Sequence, residues 1–105
     1  MSVQTGRYIK TSPDSKRRTS HGIDVVYYLR LPDGRIKIGT SRDFLARVRR
    51  HRKRWGEVEV LAIEFGGRAL ERQRHIEFAD YRPGASELFD CGPRLAEHIA
   101  GLAPA

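Results

Sequence analysis

The alternation of apolar and polar positions predicts a β-hairpin at the start of the folded part of the chain. Residues 24–31 (DVVYYLRL) are rich in β-branched and aromatic side chains, and residues 35–39 (RIKIG) alternate between polar and apolar ones; both patterns are typical of strands. The PDG sequence at 32–34 favours a tight turn, because proline presets φ and glycine tolerates a positive φ. We therefore expect residues 25–31 and 35–39 to pair as neighbouring strands.

A helical period replaces the strand pattern after the second strand. Thr40 or Ser41 can serve as the N-cap of a helix that we expect at about 42–54. Its apolar side would be formed by Phe44, Val48 and Trp55, with Leu45 beside them. Arg47 and His51 are four residues apart and would lie on a neighbouring strip, at the border of this apolar side. At such a border, packing against the core can fix the base of a side chain while its polar end extends into a cleft.

The rest of the sequence predicts one more strand and two more helices. Residues 58–65 (VEVLAIEF) alternate well enough for a third strand, and a helix from about 68 to 81 follows the glycine pair that ends it. Residues 87–90 are a candidate for a short extra strand, and Pro93 can begin a last helix over 94–102. These elements predict an α+β domain with a small central antiparallel sheet of three strands flanked by helices.

Composition adds a strong positive charge to this picture. The chain has 105 residues, which is enough for one domain, and its formal net charge at pH 7 is +7. A balance this basic points to an anionic partner, most often nucleic acid; the alternative is a basic domain with solvated charged faces. Segment 1–21 is basic and poor in side chains that could pack, so we expect a flexible basic arm there and the folded domain at 22–105. Lys16, Arg17 and Arg18 would let the arm lie along phosphates, although an unspecialised terminus has the same composition.

Cysteine content and hydropathy bear on the compartment. Cys91 is the only cysteine, so it can form no disulfide within the chain and no cysteine cluster can bind zinc. The first ten residues contain no apolar run typical of a secretory signal, and no stretch approaches the roughly 18 apolar residues of a membrane span. We therefore expect a cytoplasmic protein that does not enter a membrane.

Two side chains of the predicted hairpin are candidates for proton transfer. Tyr27 and Lys37 can face the same side of the sheet across the hairpin. A lysine near a tyrosine favours the phenolate, and a phenolate can act as a general base. The alternatives are a tyrosine that packs in the core and a lysine that points to solvent from the open face of the sheet.

The predicted first helix carries a dense run of positive charge. Its basic residues are Arg42, Arg47, Arg49, Arg50, Arg52, Lys53 and Arg54. Such a run is often a solvated face, but its density favours contact with phosphates, whose oxygens the guanidinium of Arg47 can bind in a bidentate manner. His51, one turn beyond Arg47, can help to position a phosphate or transfer a proton.

Glu71 is the one carboxylate that we single out as a metal ligand. On the predicted second helix it shares a face with His75 and Phe78. Mg²⁺ commonly takes one or two carboxylates and keeps several waters, so a single glutamate can contribute to such a site. The alternative is a surface glutamate paired with a neighbouring arginine.

These candidate residues stand in a fixed order among short motifs. The chain has VYYL at 26–29, IKIGTS at 36–41, Arg47 in the basic helix, GRALE at 67–71, then His75 and Phe78, and ASELF at 85–89. This order resembles the GIY-YIG nuclease superfamily, and most closely its short branch described as the T5orf172 or meiotically up-regulated gene 113 type. Members of that branch typically read V-Y-x-[IL], a turn, I-K-I-G-x-[ST], an arginine helix, G-x-A-x-E-x3-H-x2-[FL] and a closing G-E-W-F-like segment. The resemblance extends over about 25–99.

A few positions depart from the superfamily's pattern. Residues 25–27 read VVY in place of GIY, and residues 37–39 read KIG, with Lys37 at the place of the second tyrosine. That lysine is usual in this branch and compatible with activity, since it can also lie beside the attacking water. Leu88 stands where tryptophan is common, and the asparagine that many members place near the metal has only a loose substitute in Glu87.

The resemblance implies metal-assisted hydrolysis of phosphodiester bonds in DNA, with RNA left open as a substrate. Tyr27 would accept a proton from the attacking water while Lys37 lowers its pKa, and Arg47 would stabilise charge on the scissile phosphate. Glu71 would hold one Mg²⁺ or Mn²⁺ on the leaving-group side, where the ion acts as a Lewis acid. His51 would orient water or phosphate.

Two other functions stay open: a nucleic-acid-binding module on the same fold that does not cut, and a small structural or interaction domain. Backbone contacts would come from Arg42, Arg49, Arg50, Arg52, Lys53 and Arg54 of the helix and from Lys16, Arg17 and Arg18 of the arm. A lone domain with one metal site would nick one strand, so double-strand cutting would need a dimer or two visits. We expect a monomer or weak dimer. Cleavage specificity and the biological setting, whether phage, mobile element, repair or restriction, stay open as well.

Overall fold

A computed structural model describes residues 23–102 of the chain, beginning two residues before the first strand. The basic arm expected at 1–21, with Lys16, Arg17 and Arg18, lies outside the described residues, as do the last residues of the expected domain. Over the described part, an antiparallel sheet with helices on both faces forms the α+β fold that the sequence pattern predicts.

The first two strands, β1 (Val25–Arg30) and β2 (Ile36–Ser41), pair antiparallel as a hairpin, which confirms the prediction from local pattern. The turn depends on Gly34, whose φ of 92° is in the left-handed region that glycine tolerates. Its N–H donates to the Leu31 carbonyl at 2.9 Å. Strand β2 continues two residues beyond its predicted end, because its last two residues pair with the first two of β1.

Helix α1 (Phe44–Trp55) begins two residues later than predicted, and its N-cap is Asp43 rather than Thr40 or Ser41. The Asp43 carboxylate accepts a hydrogen bond from the Ala46 N–H at 3.3 Å, and its negative charge is favourable at the positive end of the helix dipole. The predicted cap is wrong because Thr40 and Ser41 remain in the sheet as the last residues of β2.

One side of α1 packs on the sheet, as its apolar period predicts. Val48 is buried there, and Phe44 and Trp55 are partly buried beside it. Leu45 does not belong to this side, because 59% of its surface is exposed. It follows Phe44 directly, and successive helical residues are rotated by about 100° around the axis.

The sheet has four strands where three were expected. Strand β3 (Glu59–Phe65) pairs with β1 and β4 (Leu88–Phe89) pairs with β2, all antiparallel, in the order β3-β1-β2-β4. The fourth strand is only two residues long and is defined by its pairing with the start of β2 rather than by a pattern of its own. The same pairing brings Glu87, the residue before β4, beside β2, where its carbonyl accepts from the Ile38 N–H at 3.3 Å.

Helix α2 (Arg68–Glu77) is followed by a 3₁₀ turn at Ala79–Tyr81, so the helix predicted up to residue 81 is present in two pieces. Helix α3 (Pro93–Leu102) begins at its proline. These helices pack on one sheet face around Val26, Tyr28, Ile36, Ile38, Ala62, Phe78, Phe89, Leu95 and Ile99. The opposite face packs under α1 through Tyr27, Leu29, Leu31, Val48 and Val58. Within the described range, no helix is long and apolar enough to cross a membrane.

A polar network fastens α2 and α3 to the sheet. Arg74 of α2 makes two hydrogen bonds to Glu64 of β3, both of 2.9 Å, and these two side chains are only 18% and 12% exposed. The hydroxyl of buried Tyr28 contacts Glu64 and also His98 Nε2 of α3. Charge-assisted bidentate pairs have a specific geometry, so the network fixes the direction of α2. Glu71 lies one turn before Arg74 and is held in place by the same contacts.

Candidate active site

Tyr27 and His51 form the centre of a polar group on the α1 face of the sheet. Tyr27 projects from β1 and is fully buried, and its hydroxyl oxygen lies 2.9 Å from His51 Nε2 on α1. The His51 ring also stacks on Trp55, with ring centroids 5.1 Å apart. These contacts fix both rings and bring two of the predicted site residues within hydrogen-bonding distance.

Gly39 leaves the space that the Tyr27 ring occupies. The two residues are opposite each other in the hairpin. A Cβ atom at position 39 would lie 2.5 Å from the Tyr27 hydroxyl oxygen and 2.6 Å from its Cζ, which is closer than packed atoms approach. The glycine of the IKIG segment is therefore required by the buried tyrosine.

Burial controls the charge state of Tyr27 and His51. Desolvation raises the pKa of Tyr27 to about 12, although the nearby Arg47 guanidinium favours the phenolate. Desolvation, together with the positive charges of Lys37 and Arg47, lowers the pKa of His51 to about 4. At neutral pH the tyrosine is therefore a neutral phenol and the histidine a neutral imidazole, so Tyr27 can donate its hydrogen bond to His51.

Lys37 does not activate Tyr27 in the way that the sequence suggested. The two side chains share a face of the sheet as predicted, since Tyr27 pairs with Gly39 and Lys37 pairs with Leu29. The lysine ammonium, however, forms an ion pair with Glu87, and burial raises the pKa of Tyr27. The pKa of Tyr27 is thus raised rather than lowered, because desolvation of the phenol outweighs the effect of the nearby positive charge of Arg47.

Arg47 lies at the border of the packed side of α1 and has an unused hydrogen-bond donor. Its Nε atom is buried and, within the part of the chain that the structure describes, has no hydrogen-bond partner. A buried donor without a partner costs about 1–3 kcal/mol, so a site that keeps one is suited to an acceptor that the polypeptide does not supply. The guanidinium charge acts on Tyr27, His51 and Glu87, which places it inside the same polar group.

Glu87 is the residue of this site that sequence reasoning undervalued. Burial alone would raise its pKa, but the hydrogen bond and charge of Lys37, with the charges of His75 and Arg47, hold the pKa below its usual range. Its position in the ASELF segment was the available signal. The contact with Lys37 joins residues 50 positions apart in the chain, so no local pattern could reveal it.

Glu71 approaches the polar group from α2. Burial and the charge of Glu87 raise its pKa, while the charges of His75 and Lys37 act in the opposite direction. His75, one turn further along α2, donates from Nε2 to the Ile38 carbonyl at 2.9 Å and anchors this part of the helix to β2. The helix thus holds a half-buried carboxylate close to a second one, an arrangement that a cation would stabilise.

The charges of Lys37, Arg47 and Glu71 act on other members of the predicted catalytic set. Those of Arg47 and Glu71 act on Tyr27, those of Lys37 and Arg47 act on His51, and that of Lys37 acts on Glu71. We call the set the site cluster; its members are Tyr27, Lys37, Arg47, His51, Glu71 and, in addition to the prediction, Glu87. The structure thus brings the predicted residues into one neighbourhood.

The site cluster offers few protein ligands for a metal ion. Among the described residues, no group of three or more His, Cys, Asp and Glu side chains is arranged to hold a metal ion. Glu71, with Glu87 close enough to raise its pKa, supplies at most two carboxylates. Mg²⁺ binds through one or two carboxylates and keeps several waters, whereas zinc uses three or four protein ligands.

The outer side of α1 carries positive charge without acidic counterparts. Between Phe44 and Gly56 the chain contains no aspartate or glutamate. Arg49, Arg50 and Lys53 are exposed, and no described acidic side chain forms an ion pair with them; we call these three residues the basic face. Because unpaired cations on one helix produce a concentrated positive potential, this face is suited to a polyanion.

Most of the other described basic residues have partners of their own, but Arg68 and Arg72 of α2 are exposed and form no ion pair with a described acidic side chain. On and beside α1, Arg42 pairs with Asp24, Arg52 donates to the Val58 carbonyl and Arg54 stacks over the Trp55 ring. Elsewhere the ion pairs are Arg30–Glu59, Arg35–Asp33, Arg74–Glu64 and Arg94–Asp80. Unpaired positive charge is therefore present on α2 as well as on the helix that carries Arg47 and His51.

Comparison with known proteins identifies a domain family over most of the chain. The family model of the T5orf172 domain matches residues 24–102, which include the whole site cluster and the basic face. No curated protein and no solved structure gives a significant match to the chain.

Proposed function

The chain belongs to the T5orf172 domain family, which is associated with the GIY-YIG-like nucleases, and on this basis we propose that it is a divalent-metal-dependent endonuclease that hydrolyses phosphodiester bonds in DNA. The observation that carries the proposal is the buried Nε of Arg47, which has no partner among the described residues and belongs to the site cluster around the Tyr27–His51 contact. A phosphate oxygen is the acceptor that this guanidinium donor is suited to bind.

Tyr27 and His51 provide a path for the proton of the attacking water. The neutral phenol can donate to the neutral Nε2 of His51 at 2.9 Å. As the water attacks phosphorus, its proton passes to the Tyr27 oxygen while the phenol proton passes to His51. This relay does not require a preformed phenolate, which a pKa of about 12 makes rare at neutral pH. His51 then returns the proton to solvent.

Arg47 and Lys37 stabilise the charge that develops on the phosphate. Arg47 offers the unused Nε donor, and Lys37 brings a buried ammonium to the same neighbourhood. Both are held by secondary structure before substrate arrives, so little reorganisation is needed when charge builds up. Preorganised donors of this kind typically contribute a factor of about 10²–10³ in rate each.

Glu71 is the proposed ligand of one Mg²⁺ or Mn²⁺. When bound, the ion supplies Lewis-acid stabilisation of the leaving oxygen. The Glu71 carboxylate is held ready for this task, because the Arg74–Glu64 pair and the His75 contact fix α2 against the sheet. A cation would also relieve the unfavourable interaction between Glu71 and Glu87.

The basic face would bind the sugar-phosphate backbone of DNA. Arg49, Arg50 and Lys53 lie on the helix that carries Arg47, so backbone contacts along α1 would position one phosphate against the site cluster. Contacts of these side chains with phosphates carry no sequence information, so binding through them would depend strongly on salt and weakly on sequence. With one site cluster per chain, a monomer would nick one strand.

A non-catalytic nucleic-acid-binding module is the second candidate. Tyr27 is fully buried, and Lys37 is engaged by Glu87, so the groups proposed for chemistry are shielded from water or already paired. A module of this kind would keep the basic face and bind DNA without cutting it.

A nicking assay distinguishes these two functions. Supercoiled plasmid would be incubated with the full chain in Mg²⁺, in Mn²⁺ and in EDTA, and DNA binding would be measured by fluorescence anisotropy under the same conditions. The endonuclease proposal expects open-circular plasmid only in the metal-containing reactions. Binding without nicking in either metal would support the binding module, and neither binding nor nicking would overturn both.

A further inference from the structure

The Glu87 carboxylate contacts Lys37, one of the two cations that the proposed reaction assigns to the phosphate. The Glu87 side chain contacts the Lys37 ammonium, and its negative charge acts on Tyr27 and His51 as well. Lys37 and Arg47 in turn stabilise its anionic form. Glu87 thus contacts one of the groups that would bind the scissile phosphate, and the charge of the other acts on it.

The two partners of this ion pair differ in how firmly the fold holds them. Only 9% of the Lys37 side chain is exposed, whereas 48% of the Glu87 side chain is exposed. A buried lysine cannot leave without breaking the packing of β2, but a half-exposed carboxylate can rotate into water and recover its hydration there. Glu87 is therefore the partner that can be displaced.

The remaining donor of the site cluster is unused while Glu87 is in place. Arg47 Nε has no hydrogen-bond partner among the described residues, although the Arg47 charge acts on Glu87. A carboxylate held on Lys37 therefore leaves one buried donor unsatisfied. A phosphodiester has two non-bridging oxygens and can engage the lysine and the arginine together.

We propose that Glu87 is a resident anion that occupies the phosphate position of the free protein, and that a backbone phosphate displaces it from Lys37 to bind Lys37 and Arg47 together. The exchange is noncovalent and leaves the charge balance of the buried lysine intact, because one oxyanion replaces another. This inference rests on the proposed function, in which a phosphate binds at the site cluster. It adds that binding is a competition between two anions for the same cations.

A consequence is that small anions bind weakly to the unmodified protein. Inorganic phosphate has to displace Glu87 with no help from other contacts. A DNA strand gains additional contacts on the basic face, and these offset the breaking of the Lys37–Glu87 ion pair. Glu87 thereby favours a polyanion over a single phosphate.

The test compares the DNA affinities of Glu87→Gln and Glu97→Gln in EDTA, so that neither bound metal nor cleavage affects the measurement. Glu97 is exposed on α3, on the other face of the sheet from α1, and its substitution removes the same charge from the chain. Fluorescence anisotropy with a labelled duplex would give the dissociation constants. We expect Glu87→Gln to bind about tenfold more tightly than the parent, which corresponds to about 1.4 kcal/mol, and Glu97→Gln to bind within about twofold of the parent. Equal affinities for the two variants would overturn the proposal.

A double variant tests whether Glu87 acts through Lys37. In Lys37→Met with Glu87→Gln both partners of the ion pair are removed together, which is less harmful to the fold than leaving one buried charge unpaired. We expect the tighter binding of Glu87→Gln to disappear in this double variant. Tight binding that persists without Lys37 would contradict an exchange at that ammonium.

Thermal unfolding with inorganic phosphate tests the inference separately from DNA binding. We expect phosphate, compared with chloride at equal ionic strength, to raise the melting temperature of Glu87→Gln clearly more than that of the parent or of Glu97→Gln. If Glu87→Gln does not fold in chloride, we expect phosphate to restore folding. No selective effect of phosphate would overturn the inference, whereas a parent protein that fails to bind DNA would overturn the proposed function itself.

Discussion

The Tyr27 hydroxyl oxygen lies 2.9 Å from Nε2 of His51, so a strand and a helix that are far apart in the sequence meet at one hydrogen bond. Burial shifts the two pKa values in opposite directions, to about 12 for the phenol and to about 4 for the imidazole. Both groups are neutral over a wide pH range, in which the phenol is the donor and the imidazole the acceptor. The proton path of the proposed reaction depends on this neutrality.

The low pKa of His51 predicts a loss of stability in acid. A folded-state pKa near 4, against an ordinary value of 6.5, means that the unfolded chain takes up the proton first. The His51 contribution to stability is therefore constant above about pH 6.5 and is lost as the pH falls from there towards 4. We expect His51→Gln, which can still accept from Tyr27 and cannot be charged, to show a smaller drop in melting temperature between pH 7 and pH 4. Identical drops in both proteins would show that His51 is not held neutral.

The close approach of Gly39 to Tyr27 predicts that alanine is not tolerated at position 39. An added Cβ would lie 2.5 Å from the hydroxyl oxygen, and the buried ring cannot swing away without breaking its contact with His51. We expect Gly39→Ala to lower the free energy of unfolding by about 1–3 kcal/mol, as overpacking does, and to reduce nicking. Gly84→Ala is the matched control, because nothing lies within 4 Å of an added Cβ there. Denaturant unfolding that gives the same stability for both variants would be inconsistent with this packing.

Arg47 is expected to matter for its guanidinium geometry and not only for its charge. Arg47→Lys keeps the positive charge near Tyr27 but removes the buried Nε donor. We expect DNA affinity to fall, because the phosphate loses its contact with Nε, and the single-turnover rate of nicking to fall further, by about 100-fold or more, as for loss of one preorganised donor. Arg49→Lys on the exposed basic face is the control and should nick at nearly the parent rate. If the two lysine variants nick equally well, Arg47 does not contact the scissile phosphate.

The basic face predicts a definite salt dependence of DNA binding. Replacing Arg49, Arg50 and Lys53 by glutamine should lower the slope of log affinity against log salt by roughly 0.9 for each duplex phosphate that the protein no longer neutralises. Arg94→Gln removes an arginine of α3 that is paired with Asp80, and it should leave the slope unchanged. Anisotropy titrations from low to physiological salt would measure both. An unchanged slope in the triple variant would place the DNA elsewhere on the protein.

Local sequence signals account for the hairpin and for most helix positions. The PDG turn at 32–34 and the alternation on either side need no information from distant residues, and the structure confirms the pairing that they predict. The predicted N-cap of α1 was wrong because Ser41 can either cap a helix or end a strand, and its pairing across the sheet keeps it in β2. Strand β4 was not counted in the predicted sheet for the same reason, since it exists only through its pairing with β2.

In the site, too, some features follow from the local sequence and others depend on residues that are distant in the chain. The positions of Arg47 and His51 at the border of a helix follow from helical periodicity, and the structure places both beside Tyr27. The charge states do not follow from the sequence, because the pKa of Tyr27 is set mainly by burial. The ion pair between Lys37 and Glu87 does not follow from local sequence either, because Glu87 lies in a distant segment.

Glu71→Gln compared with the parent protein is the most direct test of the proposed endonuclease. Glutamine keeps the size of the side chain and most of its helix propensity, so α2 should form normally, but it removes the charge that a hard divalent cation requires. We expect the variant to bind duplex DNA at least as tightly as the parent, because the basic face is intact and a repelling carboxylate is gone. We expect its single-turnover nicking rate in Mg²⁺ to fall by about 100-fold or more. Nicking by Glu71→Gln at close to the parent rate would contradict the account by removing Glu71 as the metal ligand.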